Sequence, residues 1–228
     1  MHPDGMVGKL IICLCVTRNI YDKAKVAVYS LSKCNPNAKI IVLCEDDNLE
    51  WQIPNVEYMN VSYLETDFAH NLAWTYMAKV RLVLHKLFDL DKIIYVDYDI
   101  ICRSALDELW NIDLDGYDVG MVEEKDKPGY YNSGVLLINL ERLRNGNGDE
   151  LIKHINDKLR FPDQDLINQY WKIKPIDAKY NTGRCTNNGT VESAVIYHYM
   201  ANPKPWDRRD HIHAMWWKVK EQMDGEGI

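Results

Sequence analysis

Apolar runs alternate with helical repeats along the first hundred residues of this chain. Lys9 to Val16 is a nearly unbroken apolar stretch, and Tyr21 to Ser32 follows with Ala24, Val28 and Leu31 at helical spacing, which predicts a strand and then a helix. Ala38 to Cys44 predicts a second strand and Val56 to Val61 a weaker third. Ala73 to Phe88 carries Tyr76, Val80, Leu84 and Leu87 along one face and predicts a long amphipathic helix. Directly after it, Ile93, Ile94, Tyr95 and Val96 lead without polar alternation into Asp97-Tyr98-Asp99, the pattern of a strand covered on both faces. Strands and helices alternating at this spacing predict an α/β fold with a mostly parallel sheet.

The second half reads less regularly. Ser104 stands where it would cap a short helix through Trp110, and Tyr117 to Val122 predicts a strand that enters the charged loop Glu123 to Gly129. Tyr131-Asn132-Ser133-Gly134 reads as a polar turn before the apolar run Val135 to Leu140. Asn145-Gly146-Asn147-Gly148 is the clearest loop. Helices are predicted over Glu150 to Leu159 and Asp163 to Tyr170, with Asp163 placed to cap the second. Ala194 to Met200 predicts a late strand that Pro203 and Pro205 break, and Asp210 to Met223 a helical tail rich in aromatics. No segment has the composition of a linker.

Composition narrows the class. A length of 228 residues fits one large domain, and 46% hydrophobic with 27% charged residues is the balance of a folded protein. A net charge of −7 argues against broad nucleic-acid binding, which needs clustered Lys and Arg. The 6 cysteines form no pair of Cys-x-x-Cys knuckles and are expected to be reduced, buried thiols. Met1 to Gly5 lacks the regions of a secretory signal and no apolar run reaches membrane-spanning length. The expected location is therefore cytoplasmic, with the sequons at Asn60 and Asn188 unused. The 14 Tyr and 7 Trp suit packing or the stacking of sugars and bases equally. Gly-rich phosphate loops are absent, which removes the commonest P-loop and dinucleotide readings.

The strongest chemical signal is the carboxylate pair. Residues i and i+2 of an extended strand face one side, so Asp97 and Asp99 can converge on a hard divalent cation while Tyr98 faces away. A cation held by two protein oxygens keeps open positions for phosphate oxygens. The same spacing also occurs in ordinary surface turns, so both readings stand on the pattern alone.

Five segments in order, from Cys15 to Trp206, resemble the glycogenin-like retaining glycosyltransferases, glycosyltransferase family eight of the nucleotide-diphospho-sugar transferase superfamily. Thr17 and Tyr21 stand where that family holds the uracil and ribose of a nucleotide sugar. Lys79, in Tyr76-Met77-Ala78-Lys79, matches its basic residue for the diphosphate or sugar. Asp97 and Asp99 resemble its metal-binding Asp-x-Asp, with Tyr98 between them on the donor. Tyr131-Asn132-Ser133-Gly134 and the run that follows resemble its Asn-Ser/Ala-Gly strand, which implies donor contacts for Asn132, Ser133 and Gly134. Glu124 falls where relatives place a carboxylate for sugar hydroxyls, and Asp163-Gln164 matches the pair beside the reacting anomeric carbon. His198 to Trp206 resembles His-x-x-Gly-x-x-Lys-Pro-Trp, making His198 a third metal ligand and Lys204 a diphosphate contact. Ala201 replaces the family's glycine, which is expected to shift the loop or tighten the pocket.

The resemblance implies one GT-A-type α/β domain with a mixed, mostly parallel central sheet flanked by helices. Its Rossmann-like nucleotide-binding half would span 9–125, a sugar and acceptor half 126–206, and a helical tail 207–228. The implied activity is metal-dependent, retaining transfer of a hexose from UDP-glucose or UDP-galactose to a glycan, lipid, protein or small molecule. A mixed oxygen and imidazole set suits Mn²⁺, with Mg²⁺ as the alternative. Gln164 is a poor nucleophile, so same-face transfer is expected, and a covalent intermediate on Asp163 or Asp165 is the competing route. A binding protein without catalysis and a nucleotidyltransferase are the competing classes. His211 and His213 are not expected to form a second metal site. The tail, with Trp216, Trp217, Arg208, Arg209, Lys218 and Lys220, is expected to pack on the domain or to meet a membrane surface.

Overall fold

The computed structural model describes residues 9–49, 51, 53–66, 75–146, 148–154, 161–186 and 191–228. The first four strands, β1 (Ile11–Cys15), β2 (Lys39–Cys44), β3 (Val56–Asn60) and β4 (Lys92–Val96), follow the apolar runs closely. With β6 (Val119–Glu123), β7 (Tyr131–Asn139) and β8 (Ile173–Pro175) they form a seven-stranded sheet in the order β3-β2-β1-β4-β7-β6-β8. Four of the neighbour pairs are parallel, and β7 runs antiparallel to both β4 and β6. Residues of both parities along β4, from Ile93 to Val96, are at most 1% exposed, because helices cover the sheet on both faces. The helices packed on these strands are α1 (Tyr21–Cys34), α2 (Tyr76–Val80), α5 (Leu140–Asn145) and α6 (Pro162–Tyr170).

Of three further strands, two escaped the sequence pattern. β5 (Ile100–Cys102), β9 (Thr182–Gly183) and β10 (Ile196–His198) make a small second sheet in the order β5-β10-β9. They are too short to show a period, and only β10 falls within a predicted run. The antiparallel register of β10 on β5 sets His198 opposite Ile100. That pairing brings a histidine from the last quarter of the chain beside the carboxylates that precede β5.

Four expectations need correction. β4 ends at Val96, so Asp97 and Asp99 lie in the turn between the two sheets and not on an extended strand. Asp97 N still donates to Gly134 O, 2.8 Å, and the chain then leaves the large sheet for the small one. The described part of the predicted helix over 73–88 is α2, a 3₁₀ turn at Arg81–Val83 and α3 (Leu84–Leu87); residues 73 and 74 lie outside the described residues. Arg81 Nε donates to Ala78 O, 2.9 Å, a local bond that competes with the helical ladder where it tightens. Tyr131 to Gly134 is the start of β7 and not a turn, with an irregular register opposite Met121 and Val122. Ser104 caps nothing: α4 (Asp107–Trp110) begins after Leu106, whose N–H is taken by Asn35 Oδ1 at 2.8 Å from the end of α1.

Of the predicted helix over 150–159, the described part is a 3₁₀ turn at Leu151–His154, and 155–159 lie outside the described residues, as do Met1 to Gly5, Asn147 and Asn188. The tail is helical over α7 (Ala214–Gly225), and Trp216, 1% exposed, packs edge-on against Trp206 and Trp217. Lys33 of α1 meets Glu226 just beyond α7 at 2.8 Å. No described helix is long and apolar enough to cross a membrane.

Candidate metal and donor site

A cavity of about 390 Å³ opens at the carboxyl ends of β1 and β4. Twelve of the residues singled out in the sequence line it: Thr17, Asp97, Tyr98, Asp99, Asn132, Ser133, Gly134, Asp163, Gln164, His198, Ala201 and Lys204. A cavity of about 430 Å³ elsewhere, walled by Asp115, Asp118, Arg142 and Tyr170 among others, holds none of them.

The carboxylates are divided in their duties. Asp97 Oδ1 takes Arg81 Nη2 at 2.9 Å and the Tyr95 hydroxyl at 2.9 Å. Asp99 Oδ2 takes Lys204 Nζ at 2.5 Å. The other two oxygens face His198 Nε2, at 3.7 Å for Asp97 Oδ2 and 3.2 Å for Asp99 Oδ1. One ligand atom from each of the three residues lies within 4.8 Å of the others, the single such cluster among the described residues. Two hard oxygens and an imidazole nitrogen are a donor set that fits Mn²⁺ or Mg²⁺.

Electrostatics separates the pair. Burial pushes the Asp97 carboxyl up, against the opposing pull of Arg81 and His198 and with help from the charge on Asp99. Burial acts on Asp99 too, but His198 and Lys204 outweigh it and hold that carboxyl well below the usual range. Tyr98, stacked on Trp206 with ring centres 6.1 Å apart, has its hydroxyl pushed up by burial and by both carboxylates.

The sugar-side residues form one buried network. Gln164 Oε1 accepts from Ser133 N at 3.0 Å and Asn132 Nδ2 at 3.2 Å, and Gln164 Nε2 donates to Glu124 Oε1 at 3.0 Å. Asp163 Oδ2 accepts from Ser133 Oγ at 3.0 Å and lies 3.3 Å from Arg81 Nε. Asp163 is therefore no cap: the residue before α6 is Phe161, and Asp165 Oδ2 reaches back to its N–H at 3.1 Å.

Three predicted site residues are not among the cavity's described walls. Tyr21 stands behind it, its hydroxyl accepting from Glu45 N at 3.1 Å. Glu124 reaches it only through Gln164 and Asn132. Lys79 is 1% exposed, and the cation at the wall is Arg81, two residues on and so roughly 200° around the helix. Arg81 also donates to Ser133 O at 2.9 Å and lies 4.4 Å from the Tyr95 ring centre. Its signal in the sequence was an arginine inside an apolar helical run, which demands buried partners. Asn181 was missed as well; nothing in Ala178-Lys179-Tyr180-Asn181 marks it, yet it is fully buried beside His198.

Two backbone positions shape the cavity. Ala201 keeps the left-handed conformation, φ 64°, that favours glycine, at a cost of about 1 kcal/mol. Gly134 lies under the His198 ring, where a Cβ would sit 2.5 Å from Nδ1 and closer still to Cε1.

A family model described as glycosyl transferase family 8 matches residues 11–210. General stress protein A of Bacillus subtilis is 27% identical over 222 residues, covering 75% of this chain and 76% of that protein. The lipopolysaccharide glucosyltransferase WaaO of Escherichia coli is 29% identical over 172 residues, 58% of this chain, and the match spans only 50% of WaaO. The crystal structure of galactosyltransferase LgtC with donor and acceptor sugar analogs superposes with a TM-score of 0.73 at 20% identity, over 93% of this chain and 94% of that one. The mixed, mostly parallel sheet is accordingly that of the GT-A fold.

Proposed function

Given that this chain belongs to glycosyl transferase family 8 and is a retaining glycosyltransferase, we propose that it moves glucose or galactose from a UDP-sugar to an acceptor with the help of a divalent cation. The observation that carries the reading is the convergence of Asp97 Oδ2, Asp99 Oδ1 and His198 Nε2 at the mouth of the cavity, with Lys204 and Arg81 tied to the outward oxygens. Glucosyl and galactosyl transfer by the named relatives supports the choice of hexose.

In this reading Asp97, Asp99 and His198 hold Mn²⁺ or Mg²⁺, which when bound supplies Lewis-acid neutralisation of a departing diphosphate. Lys204 and Arg81 add fixed positive charge at the same end, and Ala201 shapes the backbone there. Thr17, Tyr21 and Tyr98 serve the nucleoside. Asn132, Ser133, Gly134 and Glu124 frame the sugar, and Lys79 acts from behind the wall. The division into a nucleotide-binding half, 9–125, a sugar and acceptor half, 126–206, and a tail, 207–228, belongs to the same reading, with His198, Ala201 and Lys204 reaching the donor from the second half and Glu124 the sugar from the first.

Gln164 presents a neutral amide whose oxygen is already engaged by Ser133 N and Asn132, which makes it a poor attacker; in this reading it stabilises positive charge at the anomeric centre through its dipole alone. Asp163 is held by Ser133 and Arg81, which blunts it as a nucleophile. Same-face transfer is the route these contacts support, with the leaving phosphate receiving the acceptor proton. The acceptor is a glycan, lipid, protein or small molecule, and a cytoplasmic location with access to a membrane surface through the tail belongs to the reading. UDP release from a panel of UDP-sugars with Mn²⁺, with Asp99→Ala as control, tests it. Metal-independent release, or none from any donor, would sink it.

A further inference from the structure

Asn181 ends the 3₁₀ turn Ala178–Asn181 that runs into β9, and it is 0% exposed. A side-chain amide donates only from nitrogen and accepts only on oxygen, so in a buried chain of amides one fixed end sets the polarity of every link. Here that end is a backbone N–H. Gly134 N lies 3.0 Å from the Asn132 amide and can only donate, so Asn132 turns Oδ1 toward it. Asn132 Nδ2 then faces Gln164 Oε1 at 3.2 Å, an oxygen that Ser133 N independently fixes at 3.0 Å. Both anchors agree.

Asn132 Oδ1 is also 2.9 Å from the Asn181 amide, which must present Nδ2. The far end of that amide is an oxygen, 2.9 Å from His198 Nδ1. An acceptor there requires Nδ1 to carry a proton. The lone pair of the neutral ring is left on Nε2, the nitrogen that faces Asp99 Oδ1 at 3.2 Å and Asp97 Oδ2 at 3.7 Å. Gly134, lacking a Cβ, lets the ring lie flat enough against β7 for both ends to meet their partners.

We propose that Asn181 is a positioning residue that locks His198 in the Nδ1–H tautomer and so keeps Nε2 available to a divalent cation. The consequence for the cation rests on the metal reading above; the tautomer does not. The lock also ties the metal side to the sugar side, since Gln164, Asn132, Asn181 and His198 form one hydrogen-bonded line.

Two measurements test this on the whole chain. Long-range proton–nitrogen correlation spectra of histidine-labelled protein, with the His198 signals identified by their loss in His198→Gln, read the tautomer with no metal and again with Mg²⁺. The expected result is a protonated Nδ1 in both, with Nε2 bare in the Mg²⁺-loaded protein. Free Mn²⁺ counted by electron paramagnetic resonance reads affinity for wild type, Asn181→Leu and Asn181→Asp. Leu removes the acceptor and is expected to weaken Mn²⁺ binding by about 10–100-fold, while Asp keeps an oxygen toward Nδ1 and stays within a few-fold of wild type. A bare Nδ1 in the wild type overturns the proposal, as does a folded Leu variant with wild-type Mn²⁺ affinity. Where Leu does not fold, the wild-type spectra and the Asp variant decide. A wild type that binds no Mn²⁺ removes the metal reading, and the lock is then upheld if the neutral ring carries its proton on Nδ1 and overturned if it carries it on Nε2.

Discussion

Replacing Gly134 by alanine adds one methyl group where the structure has no room for it. The new Cβ would stand 2.5 Å from His198 Nδ1, against ordinary contacts of 3.4 Å or more, so the ring must retreat by about an ångström. The strand cannot yield instead, because Gly134 O holds Asp97 N at 2.8 Å and Gly134 N is held by Asn132 Oδ1 at 3.0 Å. A retreat of that size stretches the 2.9 Å bond from His198 to Asn181 past hydrogen-bonding range. Overpacking and the stranded buried groups each cost about 1–3 kcal/mol, so Gly134→Ala should lose about 2–6 kcal/mol of stability. For a chain of this size that is a fall in melting temperature of roughly 10 °C. Mn²⁺ affinity should drop at least about tenfold, since one of the three proposed ligands leaves its place. Gly134 does not use a left-handed backbone, which keeps the test steric. Gly129→Ala is the contrast: its φ is 80° and a Cβ there meets nothing, so it should cost about 1–2 kcal/mol and leave Mn²⁺ binding unchanged. Thermal melts with and without Mn²⁺ measure both. A Gly134→Ala protein that melts with wild type and keeps its metal affinity would refute the placement of His198.

Arg81→Met should destabilise the fold by about 3–5 kcal/mol, because it strands Asp97 and Asp163 in the interior without their shared cation; denaturant melts of Arg81→Met beside Lys79→Met will show whether the penalty belongs to Arg81. The Asp97 carboxyl is raised by burial, so the unfolded chain, where an aspartate ionises near 4, gives up its proton first, and this contribution to metal-free stability is lost as pH rises from about 4 through the raised folded value. Asp99, held low by His198 and Lys204 despite burial, works in the other sense: its contribution is present above about 4 and is lost as pH falls through the depressed folded value. Asp97→Asn should therefore flatten the decline in melting temperature that sets in as pH rises above about 4, while the loss on acidification that Asp99 causes remains; an unchanged decline above that pH would argue that Asp97 is not the group responsible.

Much of the donor half was legible because β1, β2 and β4 are buried on both faces, while β3, only partly buried, reads as the weaker run. Ile93 to Val96 must be apolar whichever way they point, so β4 reads as a run, whereas α1 shows helical spacing at Ala24, Val28 and Leu31 although Val26 to Ser32 are all buried, because β5 and α7 pack on it as well as the large sheet. The site residues were legible as types in order, for a carboxylate pair, a late histidine and a lysine are rare enough together to carry a resemblance. The arrangement among them was not. Lys79 and Arg81 differ as wall cations only through the phase of a helix that tightens to a 3₁₀ turn at Arg81, and no local pattern announces that. β5 and β9 are too short to carry a period and exist because they and the predicted β10 pair with one another.

The amino-acid sequence by itself determined an α/β chain, an apolar strand leading into Asp97-Tyr98-Asp99, and the inventory of carboxylates, amides and cations. Tertiary structure alone decided that Asp97 and Asp99 converge from a turn between two sheets, since His198 reaches them by the pairing of β10 with β5 across about a hundred residues. It also decided which nitrogen of His198 faces them, because hydrogen-bond polarity passes from the Gly134 backbone through Asn132 and Asn181, contacts between segments that sequence order keeps apart.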